Sequence, residues 1–214
     1  MESALRVFDR RHPGEEEVIS FSDWAAAIFY DRLSQFVTWP IHQGVITHFR
    51  KNHQCAPQTR VLDVGCGTGH YSQLFAGTDY VGLDVSYHRV RLAHSRHSQW
   101  NYVCQSAGFL GFQENSFDTV FCTNMIHHLE DSIFKSMLWE IYRVTKRGGQ
   151  LIIYDIFKQP GQDWMTRFAH WADRGGQIRP LEKIQKVFKE ALPDHKMFFF
   201  RNKILDFYNV FLIK

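Results

Sequence analysis

Three glycines alternate at positions 65, 67 and 69, directly behind the apolar run Val61-Leu62-Asp63-Val64. Glycine reaches positive φ without penalty and lets a ligand approach the backbone with no Cβ in the way. The run therefore predicts a buried strand over 60–64, a tight turn, and a helix over 69–76. Dinucleotide-binding turns occupy the same place with the spacing G-x-G-x-x-G. Here the spacing is G-x-G-x-G, and Ser72 follows where no glycine is found. Asp63, at the strand end, would repel a pyrophosphate, whereas it could receive an ammonium group or order water near one. Asp84 ends the next apolar run, where an acid can accept from both hydroxyls of a ribose. The alternative is that it merely caps the helix that follows.

Around this turn the chain alternates. Strands are predicted over 80–84, 100–104, 117–122 and 150–156, with helices over 87–96 and 131–145 between them. The second helix is capped by Asp131 and closed near Arg147-Gly148-Gly149. That order predicts an α/β, Rossmann-like three-layer αβα sandwich on a mostly parallel seven-stranded sheet. Beyond a helix over 181–192, ended by Pro193, two strands follow over 196–200 and 207–213. Only the polar Arg201-Asn202-Lys203 and a short stretch separate them, which favours an antiparallel C-terminal strand, because parallel strands need a longer crossover. Residues 1–22 read as an arm. A helix from Asp23 and a second from Pro40 precede the core. We read 1–214 as a single domain: 1–57 arm and cap helices, 58–157 cofactor-binding core, 158–193 short helical insert, and 194–214 terminal strand pair.

Composition narrows the class. With 44% hydrophobic and 22% charged residues the chain is an ordinary globular one, and a net charge of +3 without a dense Lys/Arg stripe gives no strong nucleic-acid signal. No run is long and apolar enough for a membrane span; Met197-Phe198-Phe199-Phe200 reads as a buried strand. The four cysteines show no metal-ligand spacing, and Cys104 and Cys122 sit in apolar runs, so a reduced, cytoplasmic compartment and no metal site are expected.

Val61-Leu62-Asp63-Val64-Gly65-Cys66-Gly67-Thr68-Gly69 resembles the first motif of the class I S-adenosylmethionine-dependent methyltransferases, and Val81-Gly82-Leu83-Asp84-Val85-Ser86 is similar to their second. Asn115-Ser116-Phe117-Asp118 followed by Met125-Ile126-His127-His128-Leu129-Glu130-Asp131 resembles the small-molecule branch that includes ubiquinone and menaquinone methyltransferases. Arg143 to Leu151 is similar to the turn into the fifth strand. The resemblance covers Val61 to Asp155. It implies S-adenosyl-L-methionine as cofactor, with S-adenosyl-L-homocysteine as product, held by Asp63, Gly65, Cys66, Gly67, Gly69, Asp84 and Val85. It also implies cofactor contacts from Thr123 and Asn124 at the end of the fourth strand, and from Tyr30, an aromatic hydroxyl laid over the cofactor. Where the family often has an acid for the adenine amino group, this chain has Gln105-Ser106-Ala107, which leaves that contact to Ser106 or to the backbone at Ala107.

The sulfonium cofactor already carries an activated methyl group, so the protein's tasks are alignment, exclusion of water and, for some acceptors, proton removal. His127 and His128 follow the fourth strand and are the candidate catalytic residues; a structural or cofactor-orienting role is the alternative. Tyr30, Phe36, Trp39 and His42, with Trp164, Phe168, His170 and Trp171 from the insert, either stack on a planar acceptor or pack helices onto the sheet. Gly175-Gly176 could hinge that insert. The function expected is methyl transfer to an O, N or C nucleophile of a small molecule. The alternatives are an RNA or other macromolecular acceptor, or a protein that binds the cofactor without transfer. Oligomeric state has no signal in the sequence.

Overall fold

The computed structural model describes residues 42–172, 177–202 and 205–214. The helix expected from Asp23, and Tyr30, Phe36 and Trp39, lie outside them. Seven strands form one sheet: β1 (Arg60–Val64), β2 (Asp79–Asp84), β3 (Asn101–Cys104), β4 (Phe117–Thr123), β5 (Thr145–Ile156), β6 (Lys196–Asn202) and β7 (Leu205–Ile213). Their order is β3-β2-β1-β4-β5-β7-β6. The first five run parallel, and β7 lies antiparallel to both β5 and β6. The helices are α1 (42–52), α2 (Tyr87–Arg96), α3 (Asp131–Val144), α4 (Trp164–Ala172) and α5 (Leu181–Ala191). The order of strands reverses between β1 and β4, and open parallel sheets bind their ligands in the crevice beyond that point.

Central strands covered on both faces read as unbroken apolar runs rather than as alternations. β4 and the second half of β5 do so, and both are buried almost throughout. Leu62, Val64, Val120 and Ile153 face one core with Phe134, Leu138 and Ile141 of α3 and Ile184 and Phe188 of α5. Val61, Phe121, Ile152 and Tyr154 face the other with Val45 and Phe49 of α1, Phe75, and Val90 and Ala93 of α2. Each such side chain contributes about 1.5–3 kcal/mol of burial.

Several local expectations are corrected. No helix runs over 69–76. Gly69 adopts φ +78°, which a right-handed helix cannot accommodate, and only Ser72–Phe75 forms a 3-10 turn. Asp131 does not cap α3: Glu130 holds the cap position without a side-chain bond, and the Asp131 carboxylate pairs with Arg179 and Lys183 instead. α3 stops at Val144, before the Gly148-Gly149 pair, and the Thr145 hydroxyl donates to the Ile141 carbonyl (2.6 Å). β5 begins five residues earlier than expected, with a register shift opposite Phe117 and Thr119. Cys122 is buried but Cys104 is half-buried, and all four cysteines are free thiols.

Candidate active site

The turn after β1 holds Gly65, Gly67 and Gly69 at φ +79°, +54° and +78°. A Cβ at Gly65 would lie 2.5 Å from Met125 Cγ, and one at Gly69 2.9 Å from the Tyr102 hydroxyl; at Gly67 it would meet nothing within 4 Å. The turn is thus packed at both ends and open in the middle. The amides of Gly65 and Cys66 donate to the Leu83 carbonyl (2.7 and 2.9 Å), which ties the turn to β2. Asp84 braces the same loop: its Oδ2 accepts from the Gly67 amide (3.0 Å) and its Oδ1 from that of Ser86 (2.9 Å). The cap of α2 is Ser86, whose hydroxyl accepts from Arg89, so Asp84 is not the capping residue.

Asp63 is wholly buried beneath the turn. The Tyr80 hydroxyl donates to its Oδ2 (2.7 Å), while Oδ1 has no hydrogen-bond partner among the described residues. Burial pushes its pKa up to about 7; the Tyr80 bond pulls it down and the nearby Asp84 adds to the rise. A buried carboxylate with one unanswered oxygen suits a positive charge or a bound water above it. These two features, the open middle of the turn and the unanswered oxygen, fit a sulfonium cofactor with an ammonium end. Farther along the sheet, Val85 is exposed, Ala107 is buried, and the Ser106 hydroxyl accepts from the Gly108 amide (3.3 Å).

On the other side of the crevice, Thr123 ends β4 buried, and Asn124 adopts the left-handed φ of +50°. Its amide donates to the Tyr154 carbonyl (3.0 Å) and its side-chain Nδ2 to the Tyr71 hydroxyl (3.0 Å). His127 is buried and its Nδ1 bonds Asp155 Oδ1. Asp155 also accepts from the amides of Met125 (3.1 Å), Ile126 (2.6 Å) and His127 (3.3 Å) through Oδ2, and from Ile156 (2.7 Å) through Oδ1. His128 is exposed, its ring 4.1 Å from that of His127. The structure therefore separates the doublet: His127 is tied to the loop's own anchor, and His128 is the more open of the two.

Two anchors of this loop had no assigned role in the sequence reading. Asp155 had a visible signal, an acid inside the apolar run Leu151 to Ile156. Arg179 had none. It is 4% exposed; its Nε bonds Asp131 Oδ1 (2.8 Å), Nη1 the carbonyls of Ile126 (3.0 Å) and Gln177 (3.1 Å), and Nη2 the carbonyl of Leu129. Of the aromatic residues expected in a lid, Trp164 and Phe168 on α4 are 75% and 59% exposed. His42 meets Tyr71 and His70. Among the described residues no His, Cys, Asp and Glu side chains gather as a metal site, and no helix is long and apolar enough to cross a membrane.

Residues 62–153 match the family described as a methyltransferase domain. The chain is 36% identical over 102 residues to a demethylmenaquinone methyltransferase of Renibacterium salmoninarum, covering 47% of this chain and 42% of that one. It is 27% identical over 207 residues to a ubiquinone biosynthesis O-methyltransferase of Idiomarina loihiensis, covering 87% and 83%. Several of the curated relatives it matches are about twice the length that this chain spans. Among solved structures, phosphoethanolamine N-methyltransferase 2 of Haemonchus contortus, bound to S-adenosylhomocysteine and phosphomonomethylethanolamine, superposes with a TM-score of 0.65 at 20% identity, covering 91% of this chain and 60% of that one. That likeness establishes a shared Rossmann-like methyltransferase fold.

Proposed function

We propose that this chain, a member of the class I S-adenosylmethionine-dependent methyltransferases through residues 62–153, transfers a methyl group to an oxygen, nitrogen or carbon nucleophile of a small molecule. The observation that carries the reading is the glycine turn, open at Gly67, with Asp84 against its edge and the unanswered oxygen of Asp63 beneath it. The demethylmenaquinone and ubiquinone relatives make a planar ring the first acceptor to try. A weakly positive surface and free thiols suit a small acceptor in a reducing cytoplasm.

S-adenosylmethionine, when bound, supplies an electrophilic methyl group, so no residue need generate one. Asp84 and Val85 would hold the ribose, Ser106 and Ala107 the adenine, and the turn from Gly65 to Gly69 the amino-acid end, with Thr123, Asn124 and Tyr30 closing over them. Asp155 fixes His127 and the amides of 125–127, which sets the shape of the loop that faces the acceptor. His128, exposed beside His127, is the candidate to take a proton from a hydroxyl or amine acceptor.

S-adenosylmethionine and S-adenosylhomocysteine should each raise the melting temperature, and Asp84→Ala should abolish most of that rise. Absence of a shift with either ligand in the unaltered protein overturns the cofactor assignment. Labelled methyl donor incubated with a metabolite extract then identifies the acceptor by what gains the label.

A further inference from the structure

The run Met197-Phe198-Phe199-Phe200, expected as a buried strand, lies instead at the margin of the sheet. β6 is the last strand in the order and pairs only with β7, through seven consecutive residues without a register shift. Its other edge makes no backbone hydrogen bond to any described residue. Phe198 and Phe199 are 49% and 48% exposed. Successive side chains of a strand point to opposite faces of the sheet. Phe200 stacks on His48 of α1 at 4.4 Å, and Phe199 meets Phe157 at 5.7 Å on the other face. Apolar side chains therefore border the open edge above and below.

An edge strand of this kind is a template for another strand, and solitary edges are blunted by a proline, a bulge or a charge in their middle. β6 has none of the three. Its cations, Lys196 and Arg201, stand toward its ends, and Arg201 is already paired with Asp163 and with Asp206 (3.6 Å). Outward-pointing backbone groups recur at every second residue, so an antiparallel partner has to match that parity. A second β6, antiparallel and centred on Phe199, does so and pairs all seven residues. Phe199 meets its own copy, Phe198 meets Phe200, Met197 meets Arg201, and Lys196 meets Asn202. No two cations face each other, and the middle of the seam is aromatic. α4 begins at the same margin, because Arg201 bonds Asp163 and Thr166 (3.2 Å). In its first turn Trp164 and Met165 are 75% and 44% exposed, which adds apolar surface beside the seam.

We propose that two copies of this chain join through the open edges of their β6 strands, antiparallel about a two-fold axis at Phe199, so that their sheets become one. A two-fold axis uses the same patch on both partners, and this patch is complementary to itself. The seam lies three strands beyond β4, away from the crevice between β1 and β4. The inference is independent of the cofactor reading above.

Sedimentation velocity tests it. The unaltered protein should be dimeric by about 100 µM. Phe199→Lys and Phe199→Glu each set like charges opposite one another at the axis and should weaken the dimer roughly tenfold or more. An equal mixture of the two variants sets opposite charges there and should recover most of the loss. Hydrogen exchange on the unaltered protein gives a second measurement that needs no variant: amides over 196–202 should exchange roughly tenfold more slowly in the dimer than in a dilute sample. A monomer at about 100 µM leaves this edge to a strand from another protein and overturns the assignment. So does a dimer indifferent to both substitutions, a mixture no better than its components, or exchange over 196–202 that ignores concentration.

Discussion

At the scale of single residues, two carboxylates in one short stretch follow opposite logics. Asp84 is satisfied by two backbone amides and acts as a brace that a ligand can share. Asp63 is buried with one oxygen unanswered, which makes it a cost to the ligand-free fold. Its folded pKa, raised to about 7 from an ordinary value near 3.8, means the native state binds that proton more tightly than the unfolded chain. Its contribution to stability is therefore best below about pH 4 and falls as pH climbs to about 7. Asp63→Asn should raise the melting temperature of the ligand-free protein at pH 8 by roughly 5 °C while weakening S-adenosylhomocysteine. A variant that melts at or below the parent at pH 8 contradicts this account. Both acids were legible in the sequence because they stand at the ends of apolar runs beside glycines. His42 was legible only as a lid candidate, since its bond to Tyr71 spans 29 positions and depends on how α1 crosses the sheet.

Among elements, the loop after β4 is held from behind by Asp155 and from the side by Arg179. The guanidinium serves acceptors in several directions and lies over the Phe134 ring at 5.1 Å. Arg179→Met should lower stability by about 2–4 kcal/mol, because it removes charge-assisted bonds to the Ile126 and Leu129 carbonyls and to Asp131. Arg179→Lys should recover little of this, since one ammonium cannot reproduce a planar fork. Denaturant unfolding measures both, and a lysine variant as stable as the parent would argue that charge alone matters. The strands and the long helices were readable from runs of apolar residues. The helix expected over 69–76 was not formed, because the glycines that reveal the turn also hold its backbone left-handed at Gly69. Arg179 was invisible because its partners are mostly main-chain carbonyls, which carry no mark in a sequence.

For the whole molecule, α1 and the residue after it fasten one layer to the sheet with histidines. His48 Nδ1 meets the Tyr154 hydroxyl (3.0 Å), and His53 Nε2 meets Asn209 Oδ1 (3.3 Å) across 156 positions. Burial lowers the pKa of His42, His48 and His53 alike, with His70, Lys51 and His48 respectively adding to it and the Asn209 bond opposing it at His53. Groups with depressed folded pKa values support the fold fully above about pH 6.5 and lose that support as pH falls. Asp63 pulls the other way in part of this range. In the Asp63→Asn background, melting temperature should therefore drop more steeply from pH 7.5 to 5 than in the parent, and replacing the three histidines by glutamine should flatten the drop. An unchanged slope in that last variant would show that α1 does not depend on neutral histidines. The α/β class and the antiparallel last strand were both expected from the order of elements, but the place of β7 was not, because strand order depends on which edges meet in space. β7 sits between β5 and β6, although β6 comes first along the chain. A ribosome thus delivers β6 before β7, the strand it pairs with, exists, and the open flank of β5 must wait through α4, α5 and β6 for its neighbour. Assembly order and synthesis order diverge at this seam, so the nascent chain exposes an unpaired, apolar flank that a chaperone or a second nascent copy can meet before β7 closes it.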